Sequence, residues 1–287
     1  MLHQEDHFSA HDGLELYEQR WLPEPAAAVV VVVHGVNEHS GRYARLAAAL
    51  NEQGYGVYAM DLRGHGKSAG ERAMIRSFDE YLADLDVLLA RVAAREPGKP
   101  LFLFGHSMGG AIVALAAITR QPTLAGVVLS APAVRVGGRV FPILRHLAAW
   151  ISRLLPKLRL VRVGCRFICR DPQVVAQFES DPLVFHGRFP VRTGAEILRA
   201  AKQIQTHADA LRLPLLIMHG TADVVTDAEG SRLLHLRAGS HDKTLHLYEG
   251  FYHELHSEPE KEHVIADLVA WLNQRRKAEG GGRRDKG

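Results

Sequence analysis

Five consecutive valines at 29–33 end an apolar run over residues 26–33 that no other in the chain exceeds. An unbroken β-branched run is a strand buried on both faces, and such strands belong to parallel sheets held between helices. Parallel neighbours need crossover connections, and the sequence supplies them. Helical periodicity over 42–53 ends at Gly54, a second buried strand covers 57–60, and a helix over 78–96 stops at Pro97. A third strand at 101–104 leads into a helix over 108–120 closed by Pro122, and a fourth strand follows at 126–129. Strands at 213–218 and 244–248 and a helix over about 260–276 complete the order. Residues 14–22 fit an antiparallel edge strand. The pattern predicts an α/β protein with a mostly parallel central sheet and helices on both faces.

The alternation lapses over 132–211, a span too long for a plain loop. It is expected to be a helical cap inserted in a catalytic domain made of 1–131 and 212–277. Residues 278–287, rich in glycine and charge, are expected to be a disordered tail. Inside the cap, 141–155 reads as an amphipathic helix at about 100° per residue. Phe141, Leu144, Leu147, Trp150, Ile151 and Leu155 fall on one side, and Arg145, His146, Ser152 and Arg153 on the other. Pro142 suits its first turn and Pro156 ends it. Such a helix can bury its apolar face as a lid, or lie in the interface of an anionic membrane.

The formal net charge is only +3, but residues 135–170 hold nine cations and no acid. A solvated basic face and an anionic partner surface both fit such a block. Two cysteines exclude a disulfide scaffold. The N-terminus lacks the basic and apolar regions of a secretory signal. The apolar run of eight residues falls far short of the ~20 that a spanning helix needs. The cytoplasm is the expected compartment, with peripheral membrane contact through the basic helix as an extension of that reading.

The third strand runs into Gly105-His106-Ser107-Met108-Gly109, a G-x-S-x-G at a strand-to-helix turn. Glycines two residues to either side let the chain turn sharply and lift the serine hydroxyl above the sheet edge. The first N–H groups of the next helix then aim at whatever binds there. A serine nucleophile needs a base, and the base an orienting carboxylate, here in chain order Ser, Asp, His. Asp223 stands in the loop after the strand at 213–218, and His253 in the loop after the strand at 244–248. Ser107, Asp223 and His253 are therefore the expected triad. Asp223 also suits a helix N-cap ahead of Val224 and Val225. Among rival bases, His219 comes too early at its strand end, and His106 sits inside the elbow with its ring directed away from the serine. His256 is expected to line the site. The N–H of Met108 and that of Val36, in the His34-Gly35-Val36 loop after the valine strand, are the expected oxyanion hole.

Residues 34–43, H-G-V-N-E-H-S-G-R-Y, resemble the H-G-x-x-E-H-S-G-R-Y block of monoacylglycerol lipases. Residues 61–68 are similar to their D-x-R-G-H-G-x-S block, 105–110 to their G-H-S-M-G-G elbow, and 248–256 to their last block around the catalytic histidine. The likeness runs from about residue 16 to 271. Its first block is the most informative, since the elbow and D-x-R-G-H-G are shared more widely. Within the cap little aligns beyond Asp181-Pro182-Leu183. The resemblance implies the α/β-hydrolase fold with an inserted helical cap. It implies a serine ester hydrolase, free of metal and organic cofactor, that cleaves monoacylglycerol to fatty acid and glycerol through an acyl-serine. It also implies that Glu38, Arg42 and His256 hold the glycerol end. The alternative is that Glu38 and Arg42 form an ion pair bracing the oxyanion loop. Some mammalian members carry a cysteine three residues after the catalytic Asp, where this chain has Thr226.

Other readings stay open. The basic cap gives weight to a lysophospholipid, and a short-chain ester fits the same triad. A non-catalytic member would only bind a ligand or a membrane. Ser107 argues against dehalogenase and epoxide hydrolase chemistry, which uses an Asp nucleophile. Gly66-Lys67-Ser68 mimics a P-loop, but that motif needs glycine where Asp61 stands. His253 and His256 are spaced i, i+3, not the i, i+4 of a zinc helix. His3, His7 and His11 lie at i, i+4, i+8 without the apolar periodicity of a metal-binding helix. Cys165 and Cys169 sit among arginines, which would lower a thiol pKa, but no triad-like context surrounds them and inert thiols are expected. No nucleic-acid partner is expected.

Overall fold

The computed structural model describes residues 2–136, 151–161, 164 and 166–280. Its centre is an eight-stranded sheet. In chain order the strands are β1 (Leu2–Ser9), β2 (Glu15–Leu22), β3 (Ala28–Val33), β4 (Tyr55–Met60), β5 (Leu101–His106), β6 (Gly126–Ser130), β9 (Leu215–Gly220) and β10 (Lys243–Tyr248). Between them, β7 (Arg159–Val161) and β8 (Phe189–Pro190) form a separate antiparallel pair. Across the main sheet the order is β1-β2-β4-β3-β5-β6-β9-β10. Every pairing from β4 to β10 is parallel, and β2 is antiparallel to both its neighbours. The helices are α1 (Ala44–Glu52), α2 (Asp79–Arg95), α3 (Met108–Thr119), α4 (Pro172–Ser180), α5 (Val191–Thr206), α6 (Ala228–Arg237) and α7 (Lys261–Gly280).

The valine run explains the layering. All six residues of β3 are buried between β4 and β5. Val29, Val31 and Val33 pack with residues of α2, α3 and α5, whereas Val30 and Val32 pack with residues of α1 and α7. Each valine buried in this way contributes about 1.5–3 kcal/mol relative to leaving it exposed. α3 runs through the centre of one layer, with every residue from Met108 to Ile118 buried.

The sheet edge differs from expectation. Residues 14–22 do pair antiparallel, but β1 lies outside them as the true edge, in register from Leu2↔Leu22 to Ser9↔Glu15. Only Phe8 of β1 is buried, so the strand lacks the apolar alternation that would reveal it, and backbone pairing holds it. His3 stacks on Trp21 and His7 meets Tyr17 edge-on, which makes their spacing that of a strand. At the other end α7 continues to Gly280, three residues into the expected tail; 281–287 lie outside the described residues.

Most of the amphipathic helix expected at 141–155, Trp150 included, also lies outside the described residues, and 151–154 are helical. The described part of 132–211 is not wholly helical, since β7 and β8 pair there. Within the same span α5 shares a core with α3, through Ile197, Ala200 and Ile204. It is the crossover helix that the parallel neighbours β6 and β9 require. Several cations of the basic block pair with acids outside it: Arg135 with Asp227 at 3.0 Å, Lys157 with Glu71 at 2.8 Å, and Arg170 with Glu258 at 2.6 Å.

Candidate active site

Ser107 stands alone between β5 and α3, at φ 54° and ψ −118°. A residue with a side chain enters such a region at a cost of about 1–3 kcal/mol. The flanking glycines make the turn sterically feasible. A Cβ at 105 would lie 2.4 Å from Gly109 O, and one at 109 would lie 2.1 Å from Val33 O. Ser107 N donates to Ser130 O, and Ser107 O accepts from the N–H groups of Ala111 and Ala133, so the adjacent strand and the helix both grip the elbow. Met108 is the first residue of α3, where helix geometry leaves the N–H without an intrahelical acceptor. Val36 follows Gly35 on the loop after β3. Ser107, His253, Val36 and Glu38 line one pocket of about 30 Å³, room for about one water.

Asp223 and His253 meet across two loops. Asp223 Oδ2 accepts from His253 Nδ1 at 2.7 Å and from Thr226 Oγ1 at 2.8 Å. Its Oδ1 accepts from the N–H groups of Val225 at 2.7 Å and Thr226 at 3.1 Å. The N-cap of α6 is Asp227, so the local bonds of Asp223 form a turn that fixes its own carboxylate. Both side chains are buried. Burial opposes the charge on each, and their mutual attraction overrides it: the Asp223 carboxyl is held far below its usual range and the His253 imidazole is held above its own. The surrounding histidines behave oppositely. Burial pushes His256 down to about 4, His65 to about 3, and His34 and His106 below the ordinary value. His106 packs its ring against that of His253 at 4.6 Å and against His256 at 5.5 Å. His256 stacks on Tyr43 at 4.9 Å, and among the described residues its buried Nδ1 has no hydrogen-bond partner.

The block at 34–43 folds into a braced loop. Glu38 Oε1 accepts from Gly35 N at 2.5 Å and from the Tyr43 hydroxyl at 2.9 Å. Arg42 Nε lies 3.3 Å from Glu38 Oε2, and Arg42 Nη2 donates to both oxygens of Glu254, at 2.9 and 2.7 Å. The same guanidinium covers the Phe178 ring of α4 at 4.6 Å. Arg42 thus joins the oxyanion loop, the His253 loop and the cap. Burial, with the charge of Glu38 added to it, pushes Glu254 up against the pull of Arg42, while Glu38 stays below its usual range against the same burial because His106, Arg42, His34 and the Gly35 N–H all favour its charge. Glu254 was passed over in the sequence, although it stands beside His253 in the H-E-L-H string that mimics a zinc motif. Phe178 carried no signal at all.

Two further contacts give the aligned blocks a structural meaning. His39 Nε2 donates to Asp181 Oδ2 at 2.8 Å, and Phe185 N donates to Asn37 O at 2.8 Å. Asp181 and Phe185 therefore join the 132–211 span to the first block, as Phe178 does through Arg42. Asp61 accepts from Ser40 N at 2.7 Å, Ser40 Oγ at 2.5 Å and Lys67 N at 2.7 Å, which ties the 61–68 block to the oxyanion loop. A Cβ at Gly66 would lie 2.1 Å from Asp61 Oδ2, so the P-loop look-alike is a scaffold turn. Cys169 is buried, and burial pushes its thiol up to about 12, contrary to the effect its neighbouring arginines suggested. Arg170 turns away to Glu258. Cys165 lies outside the described residues. Among the described residues no cluster of three or more His, Cys, Asp or Glu could hold a metal ion.

This geometry can be set beside known proteins. The family model described as serine aminopeptidase, S33, matches residues 24–260. A monoacylglycerol lipase of Mycolicibacterium smegmatis is 36% identical over 269 residues, covering 93% of this chain and 96% of that one. The monoglyceride lipase of Homo sapiens is 37% identical over 273 residues, covering 94% and 90%. The chain belongs to the monoacylglycerol lipase family. Its members are serine hydrolases on the α/β-hydrolase fold, and this chain is one of them. The crystal structure of the Paleococcus ferrophilus monoacylglycerol lipase matches it with a TM-score of 0.83 at 35% identity, covering 91% of this chain and 99% of that one.

Proposed function

We propose that this enzyme cleaves monoacylglycerol to fatty acid and glycerol, with Ser107, Asp223 and His253 as its catalytic triad. The observation that carries the reading is the buried 2.7 Å Asp223–His253 pair, facing the strained Ser107 across one pocket. Ser107 Oγ attacks the ester carbonyl as His253 takes its proton. The N–H groups of Met108 and Val36 hold the oxyanion. The carbon–oxygen bond to glycerol then breaks, and His253 returns the proton to the leaving glycerol oxygen. Water, losing a proton to His253, attacks the acyl-serine; the bond between the acyl carbon and Ser107 Oγ breaks, His253 returns the proton to Oγ, and the fatty acid leaves. Asp223 fixes the His253 tautomer and stabilises the imidazolium. The chemistry needs no metal or organic cofactor.

Glu38 and Arg42 act in this reading as a brace for the oxyanion loop, because Glu38 Oε1 bonds Gly35 and Tyr43, Arg42 Nη2 bonds Glu254, and Arg42 Nε faces Glu38 Oε2 as an ion pair at 3.3 Å. His256 lines a neighbouring pocket with His39, Arg42 and Asp181, and its Nδ1, unpartnered among the described residues and without a charged neighbour of its own as Glu38 Oε2 and Arg42 Nε have in each other, is the atom this reading gives to a glycerol hydroxyl. The aminopeptidase name of the matching family model fits less well. A peptide N-terminus needs an unpaired carboxylate, and both carboxylates lining the pocket, Glu38 and Glu254, already face Arg42. The test is kcat/KM on monoacylglycerols from C8 to C18, a lysophosphatidylcholine and p-nitrophenyl butyrate. Monoacylglycerol is expected to lead by at least about tenfold. A lead for lysophospholipid or the short ester would keep the triad and remove glycerol as the group recognised.

A second reading concerns where the enzyme meets its lipid. Leu154 is 78% exposed, and Leu155, Leu160 and Phe167 are at least 46% exposed, beside Arg153, Lys157 and Arg166. Exposed apolar side chains interspersed with cations along the chain suit the headgroup boundary of an anionic bilayer. Among the described residues no helix is long and apolar enough to cross a membrane, so the contact would be peripheral. Leu154→Ser with Phe167→Ser is expected to lower binding to anionic vesicles about tenfold in co-sedimentation. Unchanged binding would remove this face as the docking surface.

A further inference from the structure

His219, the penultimate residue of β9, is fully buried and takes no part in the steps above, yet both its ring nitrogens are engaged. Nδ1 lies 2.7 Å from Ser231 Oγ on α6. Nε2 faces three oxygens: Asp223 Oδ2 at 3.2 Å, Thr226 Oγ1 at 3.3 Å and Thr226 O at 3.4 Å. A ring nitrogen facing three oxygens, two of which can only accept, carries a hydrogen. Ser231 is also fully buried, and among the described residues His219 is the partner of its hydroxyl. The Ser231 proton therefore goes to Nδ1, and the imidazole is neutral with its hydrogen on Nε2. Asp223 thus has an imidazole N–H on either side, from His253 and from His219.

We propose that His219, its tautomer set by Ser231, is a positioning residue that holds the Asp223 carboxylate in place for His253. The inference rests on the triad reading. Oδ1 is fixed by two backbone N–H groups, and Oδ2 is shared by His253, Thr226 and His219. Rotating the carboxylate would break several of these contacts at once. The His219 N–H also takes up part of the carboxylate charge, and so moderates the hold of Asp223 on the His253 proton. The other charged and titratable groups facing His253 are Glu254 and Glu38, which favour its charge, and His106 and His256, which burial keeps neutral.

The test compares His219→Leu, His219→Gln and Ser231→Ala in the full chain. His219→Leu is expected to lower kcat about 10- to 100-fold, as loss of a group supporting a catalytic ligand does elsewhere, with KM moving less than about twofold. With less of its charge taken up, Asp223 should raise the acid limb of kcat/KM by about half a unit to one unit. His219→Gln keeps an N–H donor and should recover most of kcat. Ser231→Ala should move both quantities the same way by less. Wild-type kcat and an unmoved acid limb in His219→Leu would overturn the proposal. So would a kcat loss with the limb unmoved that glutamine does not restore, since that is the signature of packing alone. If Asp223→Asn also leaves hydrolysis intact, the triad reading falls too; if Asp223→Asn abolishes it and His219→Leu does not, only this inference falls.

Discussion

Ser107→Gly is expected to abolish hydrolysis and at the same time to raise the melting temperature. Removing the nucleophile should cost about 10⁴-fold or more in kcat, leaving what binding and the oxyanion donors supply. The gain in stability comes from the backbone. Ser107 is held at φ 54° and ψ −118°, where a residue with a Cβ is strained by about 1–3 kcal/mol and glycine is not. Glycine loses about 0.5–1 kcal/mol through the extra freedom of its unfolded chain, so a net gain of about 1 kcal/mol remains. In a chain of this size that is a rise of about 2 °C. Ser107→Ala keeps the Cβ and hence the strain, so it should be equally inactive without the gain. Thermal unfolding of both variants beside hydrolysis of a long-chain monoacylglycerol decides the matter. A glycine variant no more stable than the alanine variant would show that the elbow stores no strain.

Asp223→Asn should cost about 10⁴-fold in kcat and shift the pH profile of what remains. In the native enzyme His253 is held above its ordinary value of 6.5, chiefly by the Asp223 charge working against burial. A base must be neutral to act, so activity is lost as pH falls through that raised pKa, and the acid limb of kcat/KM lies above 6.5. Asparagine removes the charge and leaves the burial, so the limb should fall to or below that ordinary value. The plateau drops because the amide can present an N–H to Nδ1 and stabilise the wrong tautomer. A variant with an unmoved acid limb would show that another group sets it. Stability carries its own signs. The lowered Asp223 pKa contributes stability above its ordinary value of 3.8 that is lost as pH falls. The raised His253 pKa contributes below 6.5 and is lost as pH rises through its folded value.

The parts of this site that could be read from the sequence are those fixed over a few residues. Gly105 and Gly109 flank Ser107 at the distances where a Cβ would strike Gly109 O or Val33 O, so the elbow is written in one short string. Asp223 and His253 could be chosen because each follows a buried strand whose end is visible in the pattern. Glu38 and Arg42 stand one helical turn apart, and their pairing was one of two readings available; Glu254, 212 residues from Arg42, brought that pair into a three-way brace. His219 was dismissed as a base by its position. Nothing in the sequence places Ser231 at one nitrogen of its ring and Asp223 at the other.

The sequence by itself determined the sheet, its two helical layers and the strained serine turn, because apolar periodicity and backbone sterics act between near neighbours. It did not reveal β1, whose polar side chains show no burial pattern and whose place depends on backbone bonds to β2. Only the tertiary structure decided which polar groups meet. Arg42 with Glu254 and His39 with Asp181 are joined by hydrogen bonds that exist once distant loops close over the same end of the sheet. Burial then makes each of those pairings matter, because a polar group taken out of water must find its partner in the fold.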